Sequence, residues 1–430
     1  MADWHRLYEI RCPVHGFITL NDWEWEIISH PAFQRLRRIR QLGWTDLVYP
    51  GATHTRFEHS LGVMHVATLM YEAVAQRSFE VLKSELAYTR EGLDRHKTLV
   101  RLTALLHDVG HGPFSHAAEE LLPTCEGGAT RFQHEDYSAA IIRHQLREVI
   151  EDHPLNRNYD FRVEDITSLL EGSSQAKHAL FWRELIAGQM DADRLDYLLR
   201  DSLHIGVDYG RFDWRRLLHT IEVVPGADGE APRLGVNEGG CHAAEALILA
   251  RYFMFTQVYF HKTRVAYDYH LREALAELLS GRGFPKPDAD GIKDYLSWDD
   301  WRVLGLLADG RGGEHGRRLA QRDHFRLIYQ TSETPTNEEL AELDRVREIL
   351  GNLILMEEYA EKSWYKPGSA DIPVISRRGQ LTKVKPLSEY SSVIAHLRPI
   401  SKVMLYACRE DREEINRKLT ELHQRAGSEL

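Results

Sequence analysis

The chain has 430 residues, 65 acidic and 54 basic side chains, a net charge of −11 and hydrophobic residues at 43% of positions. This is a globular composition with material for a sizeable core, and it excludes disorder, a collagen-like repeat and a whole-surface affinity for nucleic acid, so a phosphate-bearing ligand must meet a local basic cluster. No stretch approaches the roughly 18 consecutive apolar residues of a membrane span, and Trp4, His5, Arg6 and Glu9 stand where a signal peptide would be apolar.

A cytoplasmic protein is therefore expected. Cys12, Cys125, Cys241 and Cys408 form no C-x-x-C pair and read as reduced. Most of the first 280 residues carry apolar side chains every three or four positions, which predicts helices. Arg56–Gln76 is apolar nearly all round (Leu61, Val63, Met64, Val66, Leu69, Met70, Val74) and reads as a buried helix. Thr98–Asp108 is a second, ended by Gly110-His111-Gly112-Pro113. Further helices are predicted over Glu135–Glu151, Val163–Leu170, Leu180–Leu203 and Ala243–Leu279.

Thr220–Val224 and Arg233–Val236 read as a β-hairpin around Pro225-Gly226-Ala227-Asp228-Gly229. Glycines and prolines over Gly281–Gly316 suggest a loose connection. A helix over Glu338–Glu358, strands at Ile372–Arg377, Leu381–Lys385 and Lys402–Ala407, and a charged helix over Arg409–Arg425 complete the reading. The expected fold is mainly α: a helical core over 1–280 with a small β-hairpin, a loop-rich connection over 281–337 and a C-terminal α+β lobe over 338–430.

The chemistry concentrates at His107-Asp108, at the end of a buried helix, and continues to His111 and His116. A buried imidazole or carboxylate is costly unless paired or bound to metal. His59 lies in the other buried helix, and Asp193, Tyr197 and Asp201 fall on one polar helix face. Two imidazoles and two carboxylates suit a borderline divalent ion, Mn²⁺, Fe²⁺, Co²⁺ or Zn²⁺, with positions left open for water and a phosphate oxygen.

Together these residues resemble the HD-domain metal phosphohydrolases, whose ligands are a His, a His-Asp pair and a distant Asp: here His59, His107, Asp108 and Asp193. Cys12–Gly16, Phe33–Gly43, Tyr49–Gly62, His107–His116, Asp193–Asp201 and Arg251–Arg264 look most like the deoxynucleoside triphosphate (dNTP) triphosphohydrolases, in order along residues 9–270. The resemblance implies an enzyme that hydrolyses dNTPs to deoxynucleoside and inorganic triphosphate, with additional Mg²⁺ on the triphosphate. It places the proton donor at His116, with Glu119 beside it, and further catalytic histidines at His111 and His134.

It also implies phosphate contacts at Arg56, Arg194, Arg251 and Lys262, where Arg194 replaces a mammalian lysine. Arg251 and Lys262, eleven residues apart on one helix, would align to within about 20°. Gln41 and Leu42 match positions that read the sugar, Leu42 against C2′, and Tyr197, Asp201 and Tyr259 surround the deoxyribose. Gln34 and Arg37 match two positions of an allosteric nucleotide site, whereas Ser29 and Cys12 replace aspartates there. A nucleotide activator and a homodimer or homotetramer are further implications. Arg35, Arg37, Arg38 and Arg40 suit an oligomer interface or single-stranded nucleic acid instead. Two alternatives stay open: an HD phosphohydrolase of nucleoside monophosphates or nucleic-acid phosphodiesters, and a nucleotide-binding regulator with weak catalysis.

Overall fold

The computed structural model describes residues 6–125, 128, 130–226, 231–362, 365, 371–378 and 381–428. Its first element is an antiparallel hairpin, β1 (Leu7–Cys12) and β2 (Gly16–Asn21), in a region expected to be helical. Ile18 and Leu20 are buried while Thr19 between them is exposed, a period of two too short to stand out among helical patterns. Asn21 then accepts from Glu24 N–H at 2.9 Å and caps α1 (Asp22–Ser29).

Helix α2 (Arg56–Arg77) follows the predicted range and is buried on nearly every side. It packs against α3 (Arg90–Leu106), which begins eight residues before the predicted start. Thr89 caps α3 through Gly92 N–H at 3.1 Å, and the added turns are too polar to show an apolar stripe. Because α3 ends at Leu106, His107 and Asp108 lie just past its last turn.

The segment predicted as one helix over Glu135–Glu151 divides into α4 (His134–His144) and a short Arg147–Glu151 helix. Helix α5 (Val163–Glu171) ends on Gly172 at φ +72°. The helix expected from Leu180 begins only at α6 (Ala192–Ile205), where Asp191 accepts the Arg194 N–H at 2.8 Å; a 3₁₀ segment and a short helix precede it. α6 also packs against α2.

The predicted hairpin forms β3 (Ile221–Val224) and β4 (Arg233–Asn237); residues 227–229 of its predicted turn lie outside the described residues. Next, α7 (Cys241–Met254) passes through a π turn at Phe255–Tyr259 and stops, and α8 (Lys262–Leu278) restarts with His261 as its cap. The expected alignment of Arg251 with Lys262 assumed an unbroken helix, so that argument fails.

The stretch expected as a loose connection instead contains a short helix at Gly291–Tyr295, α9 (Asp300–Ala308) and α10 (Gly313–Gln321). Its glycines act as helix boundaries: Gly312 at φ +84° precedes α10. The C-terminal part comprises β5 (Arg326–Gln330), α11 (Asn337–Leu350), β6 (Met356–Lys362), β7 (Pro373–Arg378), β8 (Leu381–Pro386), β9 (Ile400–Ala407) and α12 (Arg412–Ser428). Helix α11 ends before Gly351, at φ +48°, eight residues short of the prediction.

The strands form an outer pair β1-β2, a four-stranded sheet β3-β4-β7-β8 with β4 and β7 parallel, and a three-stranded sheet β5-β9-β6. Val374 and Ile375 therefore pair with Val236 and Asn237, and Ile372, Leu387 and Ile394 join the principal core with the helices. Strands expected to form one C-terminal lobe serve two sheets. A second core lies between α11, α12 and β9 around Leu343, Val346, Leu405 and Ile415.

Gly110 allows α4 to approach the loop that follows α3. A Cβ there would stand 2.2 Å from Ser138 N and 2.3 Å from His134 O, both backbone atoms. Gly110→Ala is expected to cost about 1–3 kcal/mol of stability by overpacking, measured as a lower urea midpoint.

Candidate metal centre and its histidine cluster

Two helices and one loop bring the candidate ligands together. His59 projects from the first turn of α2, His107 and Asp108 follow α3, and Asp193 stands in the first turn of α6. His59 Nε2 lies 3.1 Å from Asp193 Oδ1 and 3.4 Å from Asp108 Oδ2, and His107 Nε2 lies 3.3 Å from Asp108 Oδ1 and 3.8 Å from Asp193 Oδ1. Ligands about 2.1 Å from a shared ion sit about 3.0–3.4 Å apart, and three of these four contacts fall within that range.

His107 supplies a further test of fit. Its Nδ1 donates to the Ala104 carbonyl at 2.8 Å, which leaves a lone pair on Nε2, and that buried nitrogen has no hydrogen-bond partner among the described residues. His59, His107 and Asp108 form a group that can hold a divalent metal, and Asp193 stands beside them as a second carboxylate. Burial opposes charge on His59, but its hydrogen bonds to Asp193 and Asp196 overcome it and raise its pKa to about 9. Burial likewise opposes charge on Asp108, and the Arg56, His107 and His111 side chains reverse this and hold it well below the usual range.

Asp108 joins this group to a second one. Its Oδ1 lies 3.3 Å from His111 Nε2 and 3.8 Å from His134 Nε2. The His111 and His134 rings stack with centroids 3.8 Å apart, and His116 meets His111 edge-on at 4.9 Å. Glu119 Oε1 accepts from His134 Nδ1 at 2.7 Å and from His116 Nδ1 at 3.0 Å. His116 is the open member, with 58% of its side chain exposed, while His111 is buried and its pKa is driven down by burial, then by the Arg56 charge.

The loop carrying these histidines is strained: Phe114 and Ser115 both have positive φ, 58° and 60°. Asp300 at the start of α9 accepts Phe114 N–H at 2.7 Å and Arg40 N–H at 2.8 Å. Ser115 Oγ donates to the Arg40 carbonyl and accepts from Arg56 Nε, at 2.9 and 2.8 Å. Arg56 thus braces the loop and pairs with Asp108 through Nη1.

The expected sugar-reading residues form a neighbouring network. Tyr259 donates to Asp201 Oδ2 at 2.6 Å, His54 Nε2 contacts Oδ1 at 2.8 Å, and Tyr197 meets Tyr259 edge-on at 6.2 Å. Gln41 N–H donates to the His54 carbonyl at 3.0 Å; its buried side-chain Oε1 has no hydrogen-bond partner among the described residues, and Leu42 is buried. Burial pushes the Tyr197 phenol up to about 12 against the nearby charges of Arg251 and Arg194.

Other expected residues lie elsewhere or are engaged. Arg194 pairs with Asp191 and the Gly188 carbonyl. Lys262 is exposed and lines a different cavity, of about 360 Å³, with Arg326, Cys408, Arg409 and Arg412, and no candidate metal or catalytic residue lines it. Gln34 Oε1 accepts from Arg37 Nε at 2.9 Å, and Arg37 covers the Phe57 ring at 3.5 Å. The arginine run is no open basic patch: Arg35 is buried, donating to the Trp298 and His111 carbonyls, while Arg38 and Arg40 pair with Asp299 and Asp46.

Sequence reading missed Asp196, His54, Ser115 and Asp300. Asp196 had a signal: with Arg200 it forms an i,i+4 charge pair among the leucines of the buried face of α6, where charge is costly alone. Asp300 had none, because its loop partners are 186 and 260 residues away.

Among known proteins, the HD domain family matches residues 56–201 and the HD associated region matches 212–353. The uncharacterized protein YwfO of Bacillus subtilis is 30% identical, with 89% of this chain aligned to 87% of that one. The deoxynucleoside triphosphate triphosphohydrolase SAMHD1 homolog of Dictyostelium discoideum is 33% identical over 61% of this chain, which spans about half (48%) of that protein. A crystal structure of a hypothetical protein from Aquifex aeolicus superposes with a TM-score of 0.78 at 32% identity, covering 96% of this chain and all of the other. No helix among the described residues is long and apolar enough to cross a membrane.

Two measurements test this geometry. Since a metal at His59 Nε2 must displace a proton held with a pKa of about 9, Mn²⁺ affinity by calorimetry is expected to weaken about tenfold per unit as pH falls from about 8 to 6, and His107→Ala should abolish tight binding.

The second concerns Glu119 and His134. Burial opposes charge on His134, but Glu119 raises its pKa above the ordinary 6.5, so its stabilisation is complete below pH 6.5 and fades as pH climbs through the raised value. Burial also opposes charge on Glu119, yet His116 and His134 hold it below its ordinary 4.5, so its share is complete above 4.5 and fades on acidification. The loss in Glu119→Gln should therefore be greatest between pH 4.5 and 6.5. There it should reach about 1.5–3 kcal/mol by chemical denaturation, with His134 titrating lower by NMR.

Proposed function

We propose, for a chain that belongs to the HD-domain phosphohydrolases, that it hydrolyses dNTPs to deoxynucleoside and inorganic triphosphate. The observation that carries this reading is the meeting of two groups at Asp108: His59, His107 and Asp193 on one side, and His111, His134 and, through Glu119, His116 on the other. The triphosphohydrolase named among its relatives supports the substrate class.

A divalent metal held by His59, His107, Asp108 and Asp193 would neutralise phosphate charge and lower the pKa of a water. The side chains supply the rest. Arg56, fixed by Ser115 and Asp108, presents positive charge beside the carboxylate where the α-phosphate would lie. His116, exposed and held through Nδ1 by Glu119, keeps Nε2 for donating a proton to the departing 5′ oxygen. His134, anchored to the same carboxylate, keeps Glu119 ionised. Arg194 and Arg251 serve the outer phosphates, with Arg194 exchanging Asp191 for the ligand.

Leu42 forms a buried wall for C2′, the open Gln41 acceptor faces a sugar hydroxyl, and Tyr197, Asp201 and Tyr259 complete the deoxyribose site. An activating nucleotide would find cations in the cavity of Lys262, Arg326, Arg409 and Arg412, beyond Gln34 and Arg37. Homo-oligomer formation belongs to the same reading.

The test is incubation of Mn²⁺-loaded protein with each dNTP and ribonucleotide, with and without a second nucleotide, and ion-exchange analysis of products. Intact triphosphate is expected, whereas release of orthophosphate instead overturns the reading. Leu42→Gly should narrow the preference for deoxyribose over ribose by about tenfold or more, since losing a packing contact of this size is worth about 1–3 kcal/mol.

A further inference from the structure

The Asp196 carboxylate is fully buried and four donors surround it. Its Oδ2 contacts His59 Nδ1 and Arg200 Nε, both at 2.8 Å; its Oδ1 contacts Arg200 Nη2 at 2.8 Å and His15 Nε2 at 2.6 Å. The His59 contact fixes which ring nitrogen carries the proton and turns Nε2 toward Asp108 and Asp193. Arg200 balances the charge.

His15 comes from a distant element, the turn between β1 and β2, 181 residues from Asp196 and outside the matched HD domain. Its side chain is completely buried, Trp214 meets it edge-on at 5.7 Å, and Nδ1 has no hydrogen-bond partner among the described residues. Nε2 is the ring atom turned toward Asp196 Oδ1, and there it serves as the donor to the carboxylate. The same turn is tied in again where Arg200 Nη2 meets Cys12 Sγ at 3.5 Å.

The space for this arrangement is built into α2. A Cβ on Gly62, three residues after His59, would lie 1.9 Å from Asp196 Oδ1 and 2.4 Å from Arg200 Nη2. Only a residue without a side chain lets the carboxylate and guanidinium reach under the His59 ring.

We propose that His15 is a positioning residue for the metal centre: by holding Asp196 it orients His59, so the N-terminal hairpin and the ion each strengthen the other's binding. The proposal rests on the metal-centre reading above and is independent of substrate identity. His15 touches neither ion nor substrate. Because coupling is reciprocal, metal loading must in turn steady the hairpin turn.

The experiment uses full-length protein stripped with chelator and titrated with Mn²⁺ alone, followed by calorimetry without nucleotide. His15→Leu keeps bulk and removes the donor, and His15→Gln keeps an N–H donor. Affinity is expected to fall about tenfold or more in the leucine variant, as for lost partners of metal-bound histidines, and to recover to within about threefold of wild type in the glutamine variant. Wild-type affinity in His15→Leu, or equal losses in both variants, overturns the proposal.

Should the leucine variant fail to fold, hydrogen exchange of the wild-type protein decides. Mn²⁺ is expected to slow the amides of residues 12–16, and unchanged exchange there overturns the coupling. If Mn²⁺ does not bind the wild-type protein at all, the metal-centre reading falls and this inference with it; an absence of dNTP turnover leaves it standing.

Discussion

Asp108 carries a negative charge in a fully enclosed position, and the surrounding architecture is arranged so that it can. Arg56, His59, His107, His111 and His134 converge on it from two helices, α2 and α4, and the loop past α3. An isolated carboxylate so buried would take up a proton, and with it lose its ability to hold a cation. The charge survives because Arg56 is itself braced by Ser115, whose hydroxyl donates to the Arg40 carbonyl while Asp300 holds the neighbouring Phe114 N–H. Close packing at Gly110 brings α4, and His134 with it, against the same loop.

The consequence is a division of labour across one carboxylate. One oxygen of Asp108 faces His59 and the other faces His107, His111 and His134. The candidate metal ligands and the histidine cluster are therefore mechanically linked, and a shift of Asp108 disturbs both. The outer cations are arranged differently. Arg194 is paired with Asp191, and in a chain with net charge −11 a phosphate-bearing ligand would have to displace such a partner.

How much of this could be read beforehand depended on whether a signal was local. Helix α2 and the His107–His116 run were legible because burial on all sides and charge at a helix end contradict one another within a few residues, and only a site resolves the contradiction. The hairpin of β3 and β4 carried its own turn signal. Hairpin β1-β2 was absorbed into a helical pattern, and the break between α7 and α8 left no mark, since a π turn keeps the same residues apolar. The helices of 291–321 were hidden by boundary glycines that resemble a linker. Asp300 and His15 act over long separations, which periodicity cannot register. The arginine run misled for the opposite reason: four cations in six positions look like a surface, but Arg35 is internal.

The contact from α9 to the strained turn bears on how this protein can be dissected. Asp300 lies about a hundred residues beyond the end of the matched HD domain, yet it anchors the backbone on which His116 is mounted. A fragment cut back to residues 56–201 would keep every candidate ligand while losing the clamp on that turn. Grafting or excising the recognisable module therefore transplants an inventory without its tolerances, and the smallest autonomous catalyst in this chain extends at least through α9.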